Sequence, residues 1–171
     1  MRGDHHLFRK SLGYEASARV PFFLSGHNVP LSATASDALV CWEDIAPTLL
    51  DLAGVDVPGS MEGQSLAPLV RGGNISQARD HIFGQCGGHF HNLWITTSRW
   101  KYLWFPRTNE EQLFDLQNDP GECHDLSAEN PALAEMRVAM SGHVRSRQDL
   151  SYRVEDLKPC GNRPPRIFWE N

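Results

Sequence analysis

The sequence predicts one strand and one helix of an α/β layer, followed by an α+β subdomain with a four-stranded antiparallel sheet and one long helix. Three observations support this prediction. A short β-forming run precedes a helical apolar pattern in residues 20–53, four short apolar runs follow between residues 81 and 116, and helical spacing returns after residue 130. Consecutive strands followed by a helix that covers one face are typical of α+β domains.

We divide the chain into three segments on this basis. Residues 1–79 form the α/β layer, residues 80–150 form the subdomain with the sheet and the helix, and residues 151–171 form an irregular tail. Proline and glycine recur in the tail and argue against regular structure there.

The first segment contains one predicted strand and one predicted helix. The apolar run at residues 20–24 ends at Ser-Gly and predicts a buried strand. A helix is expected over about residues 44–53, with Asp44 as its N-cap and Gly54 as its stop. A short helical segment is expected within residues 65–71. The apolar residues at helical spacing, which we expect to be buried, are Trp42, Ile45, Leu49 and Leu52.

The second segment alternates short β-like runs with turn residues. We predict strands at 81–85, 93–97, 100–105 and 112–116, and their close spacing favours an antiparallel meander. Asn130 can cap the final helix and Pro131 suits its first turn. The apolar positions of that helix, spaced by three and four, are Leu133, Met136, Met140 and Val144.

Composition excludes several classes of function. The 171 residues are 40% apolar and 22% charged, which is ordinary for a globular protein. The net charge of −5 argues against a nucleic acid or an anionic membrane as a partner, and no apolar stretch approaches the ~20 residues of a membrane span. The four cysteines include no Cys-x-x-Cys pair, which favours reduced, partly buried thiols over a zinc site.

Four motifs occur in a fixed order along the chain. Motif 1 is G-D-H-H-L-F-R-K-S-L-G-Y-E-A-S-A-R-V-P at residues 3–21, and motif 2 is D-x-x-P-T-L-L-x-x-A-G at residues 44–54. Motif 3 is G-Q-S-L-x-P-L at residues 63–69, and motif 4 is L-F-D-L-x-x-D-P-x-E-x-x-D-L at residues 113–126. Together they resemble the C-terminal part of type I sulfatases, the sulfatase branch of the alkaline-phosphatase superfamily.

The resemblance implies a hydrolase of sulfate esters that uses a formylglycine nucleophile and a divalent cation, usually calcium. Lys10 matches the family's sulfate-binding lysine, whose ammonium group offsets developing negative charge. His5 matches a histidine of the same loop, and we treat Lys10 and His5 as candidate catalytic residues. His6 occupies a variable position and is expected to contact substrate.

Further histidines precede the second predicted strand. His89 and His91 are candidate specificity residues, because loops of the C-terminal sheet line the substrate pocket in this family. Together with His81 and Cys86 they also suggest a metal site, but such spacing is common by chance and we predict no metal ligand. In motif 1, we expect Asp4 to organise the loop by Asx-type hydrogen bonds. Tyr14 is expected to be structural, and Glu15 is expected to pair with Arg19.

The departures from the family pattern limit the expected activity. The sequence contains no Cys-x-Pro/Ala-x-Arg nucleophile motif, no paired N-terminal aspartates and no Asp-His-Gly or Asp-Asn-Gly motif. We therefore expect the C-terminal portion of a sulfatase-like hydrolase that is inactive alone. Calcium is expected in the intact family enzyme, and none is expected to bind this chain alone. Poor solubility or association with a complementary N-terminal half is expected.

Two alternatives to sulfate-ester hydrolysis stay open. One is a fragment of a phosphonate or phosphate ester hydrolase of the same superfamily, because these reactions share tetrahedral oxyanion chemistry. The other is a non-catalytic binding module. The expected partner is a small sulfate ester or a sulfated sugar, with aryl, sugar and choline sulfates all possible, and the sequence leaves localisation open.

Overall fold

The computed structural model describes residues 1, 3–8, 10–26, 29, 35–75, 78–87 and 91–147. One compact unit, the sheet unit, combines residues 1–20 with the described residues from Phe83 onward, and the helical unit comprises residues 21–82. This division differs from the predicted segments in grouping residues 1–20 with the sheet. The predicted tail at 151–171 lies outside the described residues. Among the described helices, none is long and apolar enough to cross a membrane.

The sheet contains four strands in the order β1-β2-β3-β4. Their bounds are His81–Cys86, Asn92–Thr97, Trp100–Phe105 and Glu110–Asp115. The pairs β2–β3 and β3–β4 are antiparallel, and Tyr102 lies opposite both Ile95 and Leu113. The predicted antiparallel meander is confirmed, with strand ends within two residues of the expected ones.

Helix α4, Ala132–Ser146, covers one face of this sheet. Its four buried residues are the predicted ones: Leu133, Met136, Met140 and Val144. They pack against alternate strand residues, as the two-residue period of a β-strand requires: Leu93, Ile95, Tyr102, Trp104 and Leu113. Asn130 accepts a hydrogen bond from the backbone N–H of Ala132 at 2.9 Å and so caps the helix start.

The N-terminal segment covers the opposite face of the sheet. It contains a 3₁₀ turn, Asp4–His6, and helix α1, Glu15–Ala18. Tyr14 packs there with Leu103 and Phe114, and a side chain on Gly13 would collide with the indole of Trp94. Gly13 therefore lets the backbone after Lys10 lie directly on the sheet.

The helical unit contains α2, Ile45–Leu52, and α3, Ala67–Val70, so both predicted helical segments are confirmed. A 3₁₀ turn, Trp42–Asp44, precedes α2, and Gly54 ends it with a left-handed φ of 72°. The predicted buried face of α2 is wrong. Trp42 is 76% exposed and Leu49 is 56% exposed, whereas Pro47 and Thr48 are buried.

Hydrogen bonds between motifs 2 and 3 explain why the polar side of α2 faces inward. The carboxylate of Asp44 accepts hydrogen bonds from the backbone N–H of Gln64 and from the guanidinium of Arg79, each at 2.8 Å. The hydroxyl of Thr48 accepts from the backbone N–H of Leu66 at 2.9 Å. A side chain on Gly63 would collide with the backbone of Glu43. Burial of these groups is compatible with stability because they are hydrogen-bonded.

Asp44 therefore differs from its predicted role. It lies at the N-cap position of α2, but its side chain makes no cap bond to that helix. Instead, the side chain accepts from the backbone N–H of Cys41 at 2.8 Å and closes the preceding 3₁₀ turn. Burial raises the pKa of the Cys41 thiol to about 11, so this cysteine is an inert thiol at neutral pH.

The predicted buried strand at residues 20–24 is also wrong. The segment is extended but forms no strand, and Phe22 and Phe23 are 41% and 86% exposed. A β-strand needs a partner for its backbone hydrogen bonds. Among the described residues, no strand pairs with this segment.

Candidate functional site

The predicted loop around His5 is tightly wound. Gly3, His5 and His6 have left-handed φ angles of 116°, 52° and 57°. The backbone N–H of Gly3 donates to the carbonyl of Leu7 at 3.0 Å, and the N–H of Leu7 donates to the carbonyl of Asp4 at 2.9 Å. The loop is thus closed on itself.

Within motif 1, the side chain of His5 packs against its neighbours, whereas the side chains of His6 and Lys10 are exposed. The ring of His5 stacks on the ring of Tyr14, with centroids 4.1 Å apart and planes 15° apart. Nε2 of His5 lies 3.9 Å from Oε2 of Glu122. His6 and Lys10 are both exposed. His5 is therefore fixed by its neighbours, whereas Lys10 and His6 are available to a ligand.

Asn92 anchors the backbone that follows Lys10. This fully buried side chain accepts a hydrogen bond from the N–H of Gly13 and donates one to the carbonyl of Ser11, both at 3.0 Å. Because Asn92 opens strand β2 directly after His91, the hydrogen bond to Ser11 joins the residue after Lys10 to the residue after His91. Sequence reasoning missed Asn92, for which the only signal was a polar residue at the start of an apolar strand.

His91 is the one predicted specificity residue in this region that the structure describes. It is half-buried, and burial lowers the pKa of its imidazole, with the positive charge of Arg107 acting in the same direction. The neutral form is therefore favoured at this position. His89 lies outside the described residues.

The metal hypothesis for His81, Cys86, His89 and His91 gains no support. Within the described part of the chain, no group of three or more His, Cys, Asp or Glu residues is placed to hold a metal ion. His89 lies outside the described residues, and we assign no step to the calcium that the family implies.

A buried ion pair lies beneath the loop. Lys101 of β3 is fully buried, and its Nζ donates to Oε1 of Glu15 at 2.8 Å and to the hydroxyl of Thr96 at 3.0 Å. Burial lowers the pKa of Lys101, while the negative charge of Glu15 opposes this effect. The predicted pair between Glu15 and Arg19 is wrong, because Lys101 lies directly beneath α1 and takes the carboxylate.

Glu122 joins this ion pair to the loop. Its side chain is almost completely buried, and Oε2 accepts a hydrogen bond from the backbone N–H of Glu15 at 2.7 Å. Among the described residues, none donates a hydrogen bond to its other oxygen, Oε1, which is buried. Burial raises the pKa of Glu122 to about 7, although Lys101 and the bond from Glu15 act in the opposite direction. Glu15 belongs to motif 1 and Glu122 to motif 4, so the two motifs meet here.

The remaining acidic residues of motif 4 build the turn that presents Glu122. Asp125 accepts a hydrogen bond from the backbone N–H of Leu113 at 3.0 Å, which ties the turn back to β4. Asp115 pairs with Arg99 at 2.8 Å, and this guanidinium holds the pKa of that carboxyl at about 2. Asp119 accepts from the backbone N–H of His124 at 2.7 Å. These contacts are local and structural.

Several known proteins are similar to this chain over most of its length. Residues 3–149 match the family model for the C-terminal region of N-sulphoglucosamine sulphohydrolase. An arylsulfatase of Clostridium perfringens is 44% identical over 130 residues, covering 74% of this chain and 27% of the relative. A Delta 4,5-hexuronate-2-O-sulfatase of Bacteroides thetaiotaomicron is 31% identical over 177 residues, covering 95% of this chain and 36% of the relative.

A solved structure shows the same fold. A protein described as a 2-O GAG sulfatase superposes with a TM-score of 0.65 at 28% identity, covering 73% of this chain and 29% of that one. The chain thus spans only about a quarter to a third of the length of these proteins. Because the family model matches most of the chain, the chain belongs to the type I sulfatase family, of which it is a C-terminal part with an alkaline-phosphatase-like fold.

Proposed function

We propose that this chain is the C-terminal portion of a hydrolase of sulfate esters and that Lys10 binds the sulfate group. The observation that carries the proposal is an exposed Lys10 on a loop that is fixed on both sides. Before Lys10 in the chain, the ring of His5 stacks on Tyr14. After Lys10, Asn92 forms hydrogen bonds with the backbone. A cation placed by a rigid loop stabilises developing negative charge without reorganisation, which is how preorganised sites lower reaction barriers.

The histidines divide into two roles in this proposal. His5 acts beside Lys10 in the catalytic loop, where its ring is already oriented. His6, which is exposed, and His91, at the neighbouring end of β2, contact the rest of the substrate, together with His89. The neutral imidazole favoured at His91 can both donate and accept a hydrogen bond, which suits a sugar hydroxyl.

We further propose that the nucleophile and the calcium ligands come from a complementary N-terminal portion. The sequence contains no Cys-x-Pro/Ala-x-Arg motif, and the relatives are about three times as long. The helical unit exposes large apolar side chains that such a portion would cover: Phe22, Phe23, Trp42 and Leu49. Exposed apolar residues of this size are typical of an interaction surface.

One relative and one similar solved structure favour sulfated sugars as the substrate class, whereas the Clostridium perfringens relative is named an arylsulfatase. The Bacteroides relative that covers 95% of this chain is named for a 2-O-sulfated hexuronate, and the similar solved structure is described as a 2-O GAG sulfatase. We therefore propose a 2-O-sulfated acidic sugar ahead of an aryl or choline sulfate.

Sulfate binding tests the role of Lys10. The purified chain is titrated with inorganic sulfate and followed by NMR, and Lys10→Ala is expected to weaken binding at least tenfold because the charge-assisted contact is lost. Lys10→Arg keeps the charge and should bind at an intermediate level, whereas Arg145→Gln, an exposed cation of α4, is the matched control. Equal affinity in the wild type and Lys10→Ala would contradict the proposal.

Turnover assays test the remaining parts. The chain alone, with calcium, is expected to hydrolyse neither an aryl sulfate nor a 2-O-sulfated uronate. Calcium-dependent turnover would show that the missing groups are not supplied by a second portion. Binding of methylphosphonate well above that of sulfate would favour the phosphonate or phosphate ester alternative.

A further inference from the structure

Glu122 is the buried ionisable group that the proposed chemistry leaves without a role. It is 3% exposed, and it faces the candidate catalytic loop rather than solvent. Most buried carboxyl oxygens have a hydrogen-bond partner, yet no residue that the structure describes donates to Oε1 of Glu122. A group of this kind in a native structure calls for an explanation.

The backbone at both ends of the His5–Glu122 contact is unusual. His5 has a φ of 52° and Glu122 a φ of 54°, so two non-glycine residues in the left-handed region face each other. Such residues are uncommon, and they persist where the surrounding structure determines them, often at functional sites. Here Tyr14 stacks on His5, and the N–H of Glu15 holds Oε2 of Glu122 at 2.7 Å.

The other charges around Glu122 come from three elements. Lys101 on β3 favours the ionised carboxylate, whereas Glu15 on α1 and Asp119 in its own turn disfavour it. The ammonium of Lys101 bonds to Glu15 and Thr96. Among the described residues of motif 1, two further titratable groups face Glu122: His5, with Nε2 3.9 Å from Oε2, and Tyr14, whose pKa is raised by burial and by the negative charge of Glu122.

We propose that Glu122 is a positioning residue that, together with the stacked ring of Tyr14, fixes the ring orientation of His5. At 3.9 Å from Nε2, the carboxylate acts on the ring by electrostatic attraction rather than by a direct hydrogen bond. The other nitrogen, Nδ1, is then left for substrate. The claim that His5 meets sulfate rests on the proposed function, but the positioning of its ring does not.

The test compares variants of the full chain by NMR of the His5 ring, which is assigned from the spectrum of His5→Gln. Glu122→Gln removes the charge with little change in shape and is expected to abolish the ring-current shift that Tyr14 imposes on His5. Glu122→Asp keeps a carboxylate and should restore part of that shift. Glu135→Gln, an exposed glutamate of α4, is the matched control and should leave it unchanged.

Sulfate affinity is the second measurement on the same variants. Glu122→Gln should weaken binding of inorganic sulfate roughly tenfold or more, by analogy with the ten- to hundredfold loss seen when the partner that orients a metal-binding histidine is removed. A merely structural role predicts a loss of thermal stability instead. We expect Glu122→Gln to be at least as stable as the wild type at pH 8, because it removes a buried charge.

If Glu122→Gln fails to fold, the wild-type chain alone still tests whether Glu122 positions His5. Selective ¹³C labelling follows the Glu122 carboxyl carbon through its titration, and the His5 ring resonances must move with it. A His5 ring unaffected by that titration, or by Glu122→Gln, overturns the inference even if sulfate binds at Lys10. A wild-type chain that binds no sulfate overturns the proposed function, while the His5 ring shifts still decide the role of Glu122.

Discussion

Individual buried polar side chains hold the candidate site in place. Asn92 bonds to the backbone on the C-terminal side of Lys10, and Lys101 pairs with Glu15 beneath α1. Glu122 then connects Glu15 to His5. Burial of a charged group is costly unless it is paired, and Lys101 meets this condition through Glu15.

Glu122 makes stability depend on pH in a defined direction. Its pKa is raised from an ordinary value near 4.5 to about 7 in the folded chain, because burial favours the protonated carboxyl. The contribution of this group to folding stability is therefore fully present below pH 4.5 and is lost as the pH rises through about 7. The difference between these two pKa values corresponds to roughly 3 kcal/mol of folding free energy. Urea denaturation should therefore show that Glu122→Gln is more stable than the wild type at pH 8 but similar to it at pH 4.5. Parallel pH profiles of the two proteins would contradict this assignment.

Asn92→Ala is expected to destabilise the sheet unit by about 1–3 kcal/mol, since the N–H of Gly13 and the carbonyl of Ser11 lose their buried partner. Thermal unfolding monitored by circular dichroism measures the loss. Asn74→Ala, at an exposed position of the helical unit, is the control and should change stability by less than about 0.5 kcal/mol. An equally small change in Asn92→Ala would show that the anchor is dispensable.

Among the helices and strands, those held by apolar packing were predicted correctly from the sequence, whereas the orientation of a helix held by hydrogen bonds was not. The meander and α4 were predicted because their apolar residues follow simple periods and their partners lie within the same unit. The buried face of α2 was not predicted, since hydrogen bonds of Asp44 and Thr48 to motif 3 turn its polar side inward. The run at residues 20–24 has the composition of a strand, but composition alone does not supply a pairing partner.

The close approach of motifs 2 and 3 gives a test at this scale. Gly63→Ala places a methyl group against the backbone of Glu43, so we expect a loss of about 1–3 kcal/mol or more from overpacking. Gly59→Ala is the matched control, because a side chain at Gly59 would enter open space. Denaturant unfolding compares the two, and equal midpoints would mean that the two motifs do not depend on this contact.

Across the whole molecule, the four motifs form two interlocking pairs. Motif 1 contacts motif 4 through Glu15 and Glu122 in the sheet unit, and motif 2 contacts motif 3 through Asp44 and Thr48 in the helical unit. The sequence identified the family and the residues of motif 1. It did not identify Asn92 or Lys101, because their roles depend on which backbone lies across the sheet from them.

The central claim is that this chain supplies a working C-terminal part of a sulfatase with Lys10 at its site. The most direct test replaces the matching 130 residues of the Clostridium perfringens arylsulfatase, 44% identical, with those of this chain. The chimera is expected to hydrolyse an aryl sulfate, and Lys10→Ala in the chimera should lower kcat/KM by roughly a hundredfold or more, as loss of one charge-stabilising donor does. A folded chimera without turnover, or one indifferent to Lys10→Ala, would contradict the claim.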